Sequence, residues 1–226
     1  MEIDPQKLYA VLTGDVVKSS ALSLEKREGL VGQIRSTYDE LRALFPGILP
    51  LPLSVYRGDG WQMLVPDPGM ALALALSFRS LFLFRMAKPR RKEKELDLRM
   101  AIGIGGVDFV PAAAPHEGDG PAFRRSGRAL EMMNGPQRMA FSNPGSSSEQ
   151  SLSVVVELLD ALFVGWTPLQ ARAVVVGLQG LTQEQVGDSW PVKKIRQQTV
   201  GKHLRAARWS TVEAAVELFQ KEIERK

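Results

Sequence analysis

The sequence contains no cysteine. That excludes a disulfide framework, a thiolate zinc site and a cysteine nucleophile, and it fits a reducing, cytoplasmic compartment. The start of the chain, "MEIDPQKLYAV", lacks the basic-then-apolar pattern of a signal segment. A long unbroken hydrophobic run is missing too. The most apolar stretch, "MALALALSFRSLFLFRMA" (70–87), is interrupted by Ser77, Arg79, Ser80 and Arg85. It falls short of the roughly 18 uninterrupted apolar residues of a membrane span, so it reads as a helix buried in a soluble protein with no membrane partner. Histidine occurs only twice. His116 stands in a Pro-rich loop and His203 in a basic segment, and neither sits in a pattern that assigns it catalysis.

What is present describes an ordinary folded chain. Its 226 residues are 44% hydrophobic and 24% charged, enough for one large domain or two small ones. The net charge of +4 is modest, and its placement says more than its size. Between Trp190 and Trp209 stand Lys193, Lys194, Arg196, Lys202, Arg205 and Arg208, with no acid among them. A second basic run, "KPRRKEK" (88–94), reads as solvated surface.

Residues 7–14, "KLYAVLTG", read as a buried strand. In 22–45, Leu30, Ile34, Tyr38, Leu41, Leu44 and Phe45 recur at helical spacing behind a start at Ser23, and Pro46-Gly47 ends the helix. "LSVY" (53–56) and "WQMLV" (61–65) flank "RGDG" as a hairpin, with Trp61 a core residue. "PDPG" then breaks the chain before the apolar helix, and "ELDLRMAIGIGGVDF" (95–109) alternates like a strand. The order β-α-β-β-α-β predicts an α/β (α+β) ferredoxin-like domain, an antiparallel sheet with helices on one face.

In that topology the first strand lies beside the third. Asp15, ending "VLTGD", and Asp59, in "RGDG", then fall at one edge of the sheet. Neighbouring carboxylates repel unless a proton or cation intervenes, and Mg²⁺ (or Mn²⁺) takes one or two carboxylates, completing its shell with water and phosphate oxygens. Two independent turn aspartates are the other reading. Further on, Gly118-Asp119-Gly120-Pro121 opens a helix that carries Arg124 and Arg128 four residues apart, on one face. A glycine-lined helix start with arginines suits a phosphate-bearing ligand.

"SNPGSSSEQS" (142–151) reads as a linker, dividing the chain into domains at 1–145 and 150–226. The remainder reads as helical, with Thr167, Thr182 and Ser210 as caps and Trp166 in the core. "LTQEQVGDSW" forms a short helix, Pro191 a turn, and "IRQQTVGKHLRAARW" a basic helix. Short helix, turn and basic helix make a helix-turn-helix pattern. Gln197, Gln198 and Thr199 are placed for base edges, and Lys202, Arg205 and Arg208 for phosphates or bases. A helical bundle for protein contact or dimerisation is the alternative.

"GDVVKSS", "GDGWQ" and the C-terminal segment with "LTQEQ" resemble the SatD family of bacterial proteins over nearly the whole chain. "TGDVVKSS", "RGDG", "LRMAIGIGG" and "GPAFRRSGRAL" resemble the catalytic domain of class III nucleotidyl cyclases over residues 7–140. The cyclase resemblance implies that Asp15 and Asp59, with the Val16 carbonyl, hold two Mg²⁺ ions. It implies that amides near Lys18, Ser19 and Ser20 cradle a nucleoside triphosphate, and that Arg128 is the catalytic, transition-state arginine. It also implies a homodimer. The base-reading half departs from the family: Arg124 stands where an asparagine orients the ribose, Val55 where a lysine reads the purine, and Glu117 only near the second base-reading position. The expectation is therefore a nucleotide- and metal-binding, cyclase-like regulator joined to a DNA-binding module. The alternative is an active nucleotidyl cyclase or nucleotidyltransferase whose helices serve dimerisation.

Overall fold

The structure is a computed structural model that describes residues 1–56, 58–87, 96–180 and 196–225. The basic run 88–94, Arg57, the short helix expected at 181–190 with its Thr182 cap, the Pro191 turn, and Lys193 and Lys194 lie outside the described residues.

The chain is a mixed α/β fold with a five-stranded sheet and seven helices among the described residues. The strands are β1 (Tyr9–Val16), β2 (Ser54–Tyr56), β3 (Gly60–Val65), β4 (Leu98–Gly105) and β5 (Met139–Ser142), in the spatial order β2-β3-β1-β4-β5. β1 lies at the centre, antiparallel to β3 and to β4, so the expected neighbourhood of the first and third strands is observed. β5 pairs in parallel with β4. Its four residues are too few to show a period, and the sequence pattern did not reveal it.

Alternation along β1 divides the core between two faces. Ala10, Leu12 and Val16 pack with Leu30, Ile34 and Leu41 of α1 (Leu24–Leu44) and with Leu74 and Phe78 of α2 (Ala71–Met86). Tyr9 and Val11 point the other way, into a cluster with Ala122 and Phe123 of α3 (Pro121–Met132). Helices therefore cover both faces, not one as the sequence order implied. The reason is local to "IGIGG": a Cβ on Gly103 would lie 2.3 Å from the Ser126 nitrogen and 2.5 Å from the Ala122 oxygen. Only glycine lets α3 settle this close to β4. Gly120, at φ 142°, caps α3 and Pro121 takes its first position.

Four more helices follow: α4 (Glu149–Val164), α5 (Pro168–Leu178), α6 (Gln197–Ala206) and α7 (Trp209–Glu224). Thr167 caps α5 in a reciprocal capping box with Gln170. Ser210 does not cap α7; that place is taken by Arg208 in a left-handed conformation at φ 59°. Leu152, Val156, Leu159 and Phe163 of α4, Val174 and Val175 of α5, and Phe219 and Ile223 of α7 belong to the same hydrophobic cluster as the α1–α2 side of the sheet. Trp61 and Trp166 are both buried, against Phe78 and Phe163. Val200 and Leu204 of α6 bury against Ala173 and Val176 of α5.

The segment Pro68–Met86 is long and apolar enough to cross a membrane, yet most of it is buried inside the fold. Every residue from Ala71 to Leu83 is buried, Arg79 among them.

Candidate functional site

Gly14 and Asp15 end β1 as a pair for a packing reason. The Trp61 ring crosses directly over Gly14, so a Cβ there would lie 2.3 Å from Trp61 Cζ2. With Gly14 paired to Trp61 in the β1–β3 ladder, the next turn residues bring Asp59 alongside Val16. Asp59 Oδ2 accepts the Val16 backbone N–H at 3.1 Å. Gly58 makes the hairpin possible, at φ 91°.

Asp15, Val16 and Asp59 line one open cavity of about 480 Å³, together with Lys18, Ser19 and Ser20. The two acids that stand 44 residues apart in the chain thus meet at one rim, within reach of the 18–20 loop. That loop is a single 3₁₀ turn over Ser19–Ala21, entered through Lys18 at φ 64°. Arg27, one turn into α1, holds it by donating to the carbonyls of Ser19 and Ser20.

The opposite wall was not anticipated. Arg99 faces Asp15 across the β1–β4 ladder and closes a two-point ion pair on it, Nε to Oδ1 at 3.1 Å and Nη2 to Oδ2 at 2.5 Å. The Asp15 hydrogen bond raises the Arg99 pKa; partial burial opposes this, and the charges of Asp15 and Asp59 add to the rise. Gln137 and Arg138, at the entry to β5, complete the rim. Arg99 was legible in principle, since pairing β1 with β4 in the strand alternation puts it opposite Asp15. Gln137 and Arg138 carried no such signal, because β5 itself was not visible.

The residues suit a divalent cation in donor type: two carboxylates at one rim, with the Val16 backbone beside them. No group of three or more Asp, Glu or His side chains converges among the described residues. A cation here would therefore complete its shell with water or phosphate oxygens, and it would meet Asp15 already engaged by Arg99.

The other expected site residues lie elsewhere on the chain. Arg128 lines two neighbouring cavities, one with Met132 and Glu157 and one with Arg124 and Glu131, but not the Asp15 cavity. Arg124 is exposed and ion-paired to Asp119 at 2.5 Å and to Asp108 at 3.5 Å. Glu117 is exposed in a 3₁₀ turn at 115–117. His116 bonds Ser54 Oγ through its backbone N–H and contacts it again through Nδ1, and its ring stacks on Tyr56.

On α6, Gln197, Gln198 and Thr199 are exposed at the helix start and Lys202 and Arg205 further along, but the expected basic helix stops at Ala206, and Arg208, also exposed, is the left-handed cap of α7. Residues 196–209 contain no acid.

No protein-family model and no curated protein sequence matches the chain. Among solved structures, it is similar to the catalytic core of a rhodopsin-guanylyl cyclase with converted specificity in complex with ATPalphaS. That similarity has 16% identity and a TM-score of 0.41 over 56% of this chain and 73% of the other. It is also similar to a bacterial light-regulated adenylyl cyclase, at 16% identity and a TM-score of 0.43 over 62% of this chain and 44% of the other.

Proposed function

We propose that residues 1–145 bind a nucleotide together with Mg²⁺ or Mn²⁺ at the Asp15–Asp59 rim, and that residues 150–226 form a DNA-binding module. The whole would be a cytoplasmic, nucleotide-responsive regulator. The observation that carries this reading is the meeting of Asp15, Asp59 and the 18–20 loop around one cavity. A divalent cation held there offsets charge on phosphate oxygens. Lys18 and the hydroxyls and amides of Ser19 and Ser20 are the chain's own groups for the phosphates. The exposed, acid-free face of α6 supports the DNA-binding half. The motifs that resemble class III cyclases support the nucleotide-binding half.

Titration calorimetry with Mn·ATP and Mn·GTP tests the first half. Binding that is lost on Asp59→Asn supports it, and no binding of any Mn-nucleotide removes it. Gel shifts at low and moderate salt test the second half, since phosphate-driven binding weakens steeply as salt rises.

One observation favours a second reading, an active nucleotidyl cyclase or nucleotidyltransferase that works as a homodimer. Val154 and Leu158 of α4, one turn apart, are exposed at 49% and 61%, an apolar strip suited to contact with protein. A second copy would then bring its own Arg128 to the cavity, which the Arg128 of the same chain does not line. Pyrophosphate release from any nucleoside triphosphate, abolished by Asp59→Asn, would establish the enzyme over the regulator.

A further inference from the structure

Arg79 is the only charged residue in the buried run of α2, and it is fully buried. Taking a guanidinium out of water costs several kcal/mol unless its partners are well placed. A leucine would fill the same position in an otherwise apolar helix without that cost. The partners of Arg79 show what the charge accomplishes.

Its Nε and Nη2 donate to the two carboxylate oxygens of Asp97 at 2.9 and 2.7 Å, and its Nη1 donates to Asp160 Oδ1 at 2.5 Å. The guanidinium lies 3.9 Å over the Phe163 ring. Each carboxylate continues to a different wall of the Asp15 cavity. Asp97 stands just before β4, and its backbone carbonyl accepts the Val17 N–H at 2.9 Å. Asp160, on α4, accepts the N–H groups of Arg138 and Met139 at 2.7 and 3.2 Å. Val17 and Arg138 both line the cavity. One buried side chain thus fixes the end of β1, the entry to β5 and the body of α4 relative to each other.

We propose that Arg79 is a positioning residue: through Asp97 and Asp160 it sets the spacing of the cavity walls and locks them to α4. Ligand in the cavity and docking of α4 on the sheet then bias one another, and the coupling is reciprocal. This rests on the reading of the cavity as a cation–nucleotide site, and it supplies a route from that site to α4.

The test compares Asp160→Asn, which keeps the shape and one acceptor, with Glu40→Gln. Glu40, on α1, pairs with Arg85 of α2 and Arg172 of α5, and it stands sixteen residues past Leu24, hence about 24 Å along the helix from the cavity end. Hydrogen–deuterium exchange is read on the full chain at segments 15–20 and 136–139, and Mn·ATP affinity is read by calorimetry. Asp160→Asn is expected to speed exchange in both segments and to weaken Mn·ATP about tenfold. Glu40→Gln lowers Tm but leaves both readouts unchanged. The proposal is overturned if faster exchange in Asp160→Asn stays within 136–139, or if Glu40→Gln reproduces the whole effect. Failure of the unaltered protein to bind Mn·ATP would instead sink the site reading, while the exchange comparison still decides the coupling.

Discussion

Arg99 holds both carboxylate oxygens of Asp15 from the adjacent strand, at the rim where Asp59 also projects. A guanidinium therefore already occupies the acid that a divalent cation would need. The pair is partly exposed, with side-chain exposures of 35% and 27%, so its strength is that of a screened ion pair.

Removing that competitor exposes two carboxylates to a cation. Arg99→Gln is expected to tighten binding of free Mn²⁺ about fivefold, the equivalent of roughly 1 kcal/mol for an ion pair of this exposure. Electron paramagnetic resonance of unbound Mn²⁺ measures it directly. Unchanged or weaker binding in the variant would mean that Asp15 is not a cation ligand.

Gly14 admits no side chain. A Cβ would lie 2.3 Å from the Trp61 ring and 2.5 Å from the Arg99 carbonyl oxygen, and neither the buried ring nor the sheet backbone gives way cheaply. Gly14→Ala is expected to cost about 1–3 kcal/mol, as overpacking of a filled core does. Urea denaturation checks this against Gly32→Ala, where an added Cβ meets nothing within 4 Å and no loss is expected.

His203 makes stability depend on pH. Burial lowers its pKa, with the nearby charge of Lys202 adding to the effect. The unfolded chain then takes up a proton at higher pH than the folded one. This contribution is complete above the ordinary value of 6.5 and is lost as pH falls through it toward the lower folded value. The difference in Tm between pH 7.5 and pH 5.5 should shrink in His203→Gln.

The basic face of α6 gives a salt-dependence prediction. Replacing Lys202, Arg205 and Arg208 together by Gln should weaken binding to duplex DNA of any sequence. It should also reduce the slope of log K against log salt by roughly one for each phosphate contact removed. All three are exposed, so the variant should keep its Tm. A parallel shift with an unchanged slope would show that these side chains do not meet phosphates.

Periodicity alone located most elements, because the apolar alternation of β1 and the three-to-four spacing of Leu30, Ile34, Tyr38 and Leu41 are local properties of the chain. The order of those elements placed β1 beside β3, and so brought Asp15 and Asp59 to one rim. β5 escaped because a four-residue strand has no period to read, and with it went Gln137 and Arg138. α3 was expected as a helix, but its face of the sheet depended on glycines that act only through what approaches them: Gly103 against Ser126.

What the sequence determined by itself was therefore most of the helices, the first four strands with their antiparallel order, and the acids at two turn positions, since local sterics and hydrophobic pattern fix these. The tertiary structure alone decided the partners. Arg99 reaches Asp15 from the adjacent strand, 84 residues away in the chain, and Arg79 ties Asp97 to Asp160 inside the core. Such pairings depend on which charges are desolvated together, and that is settled only when distant segments share one interior.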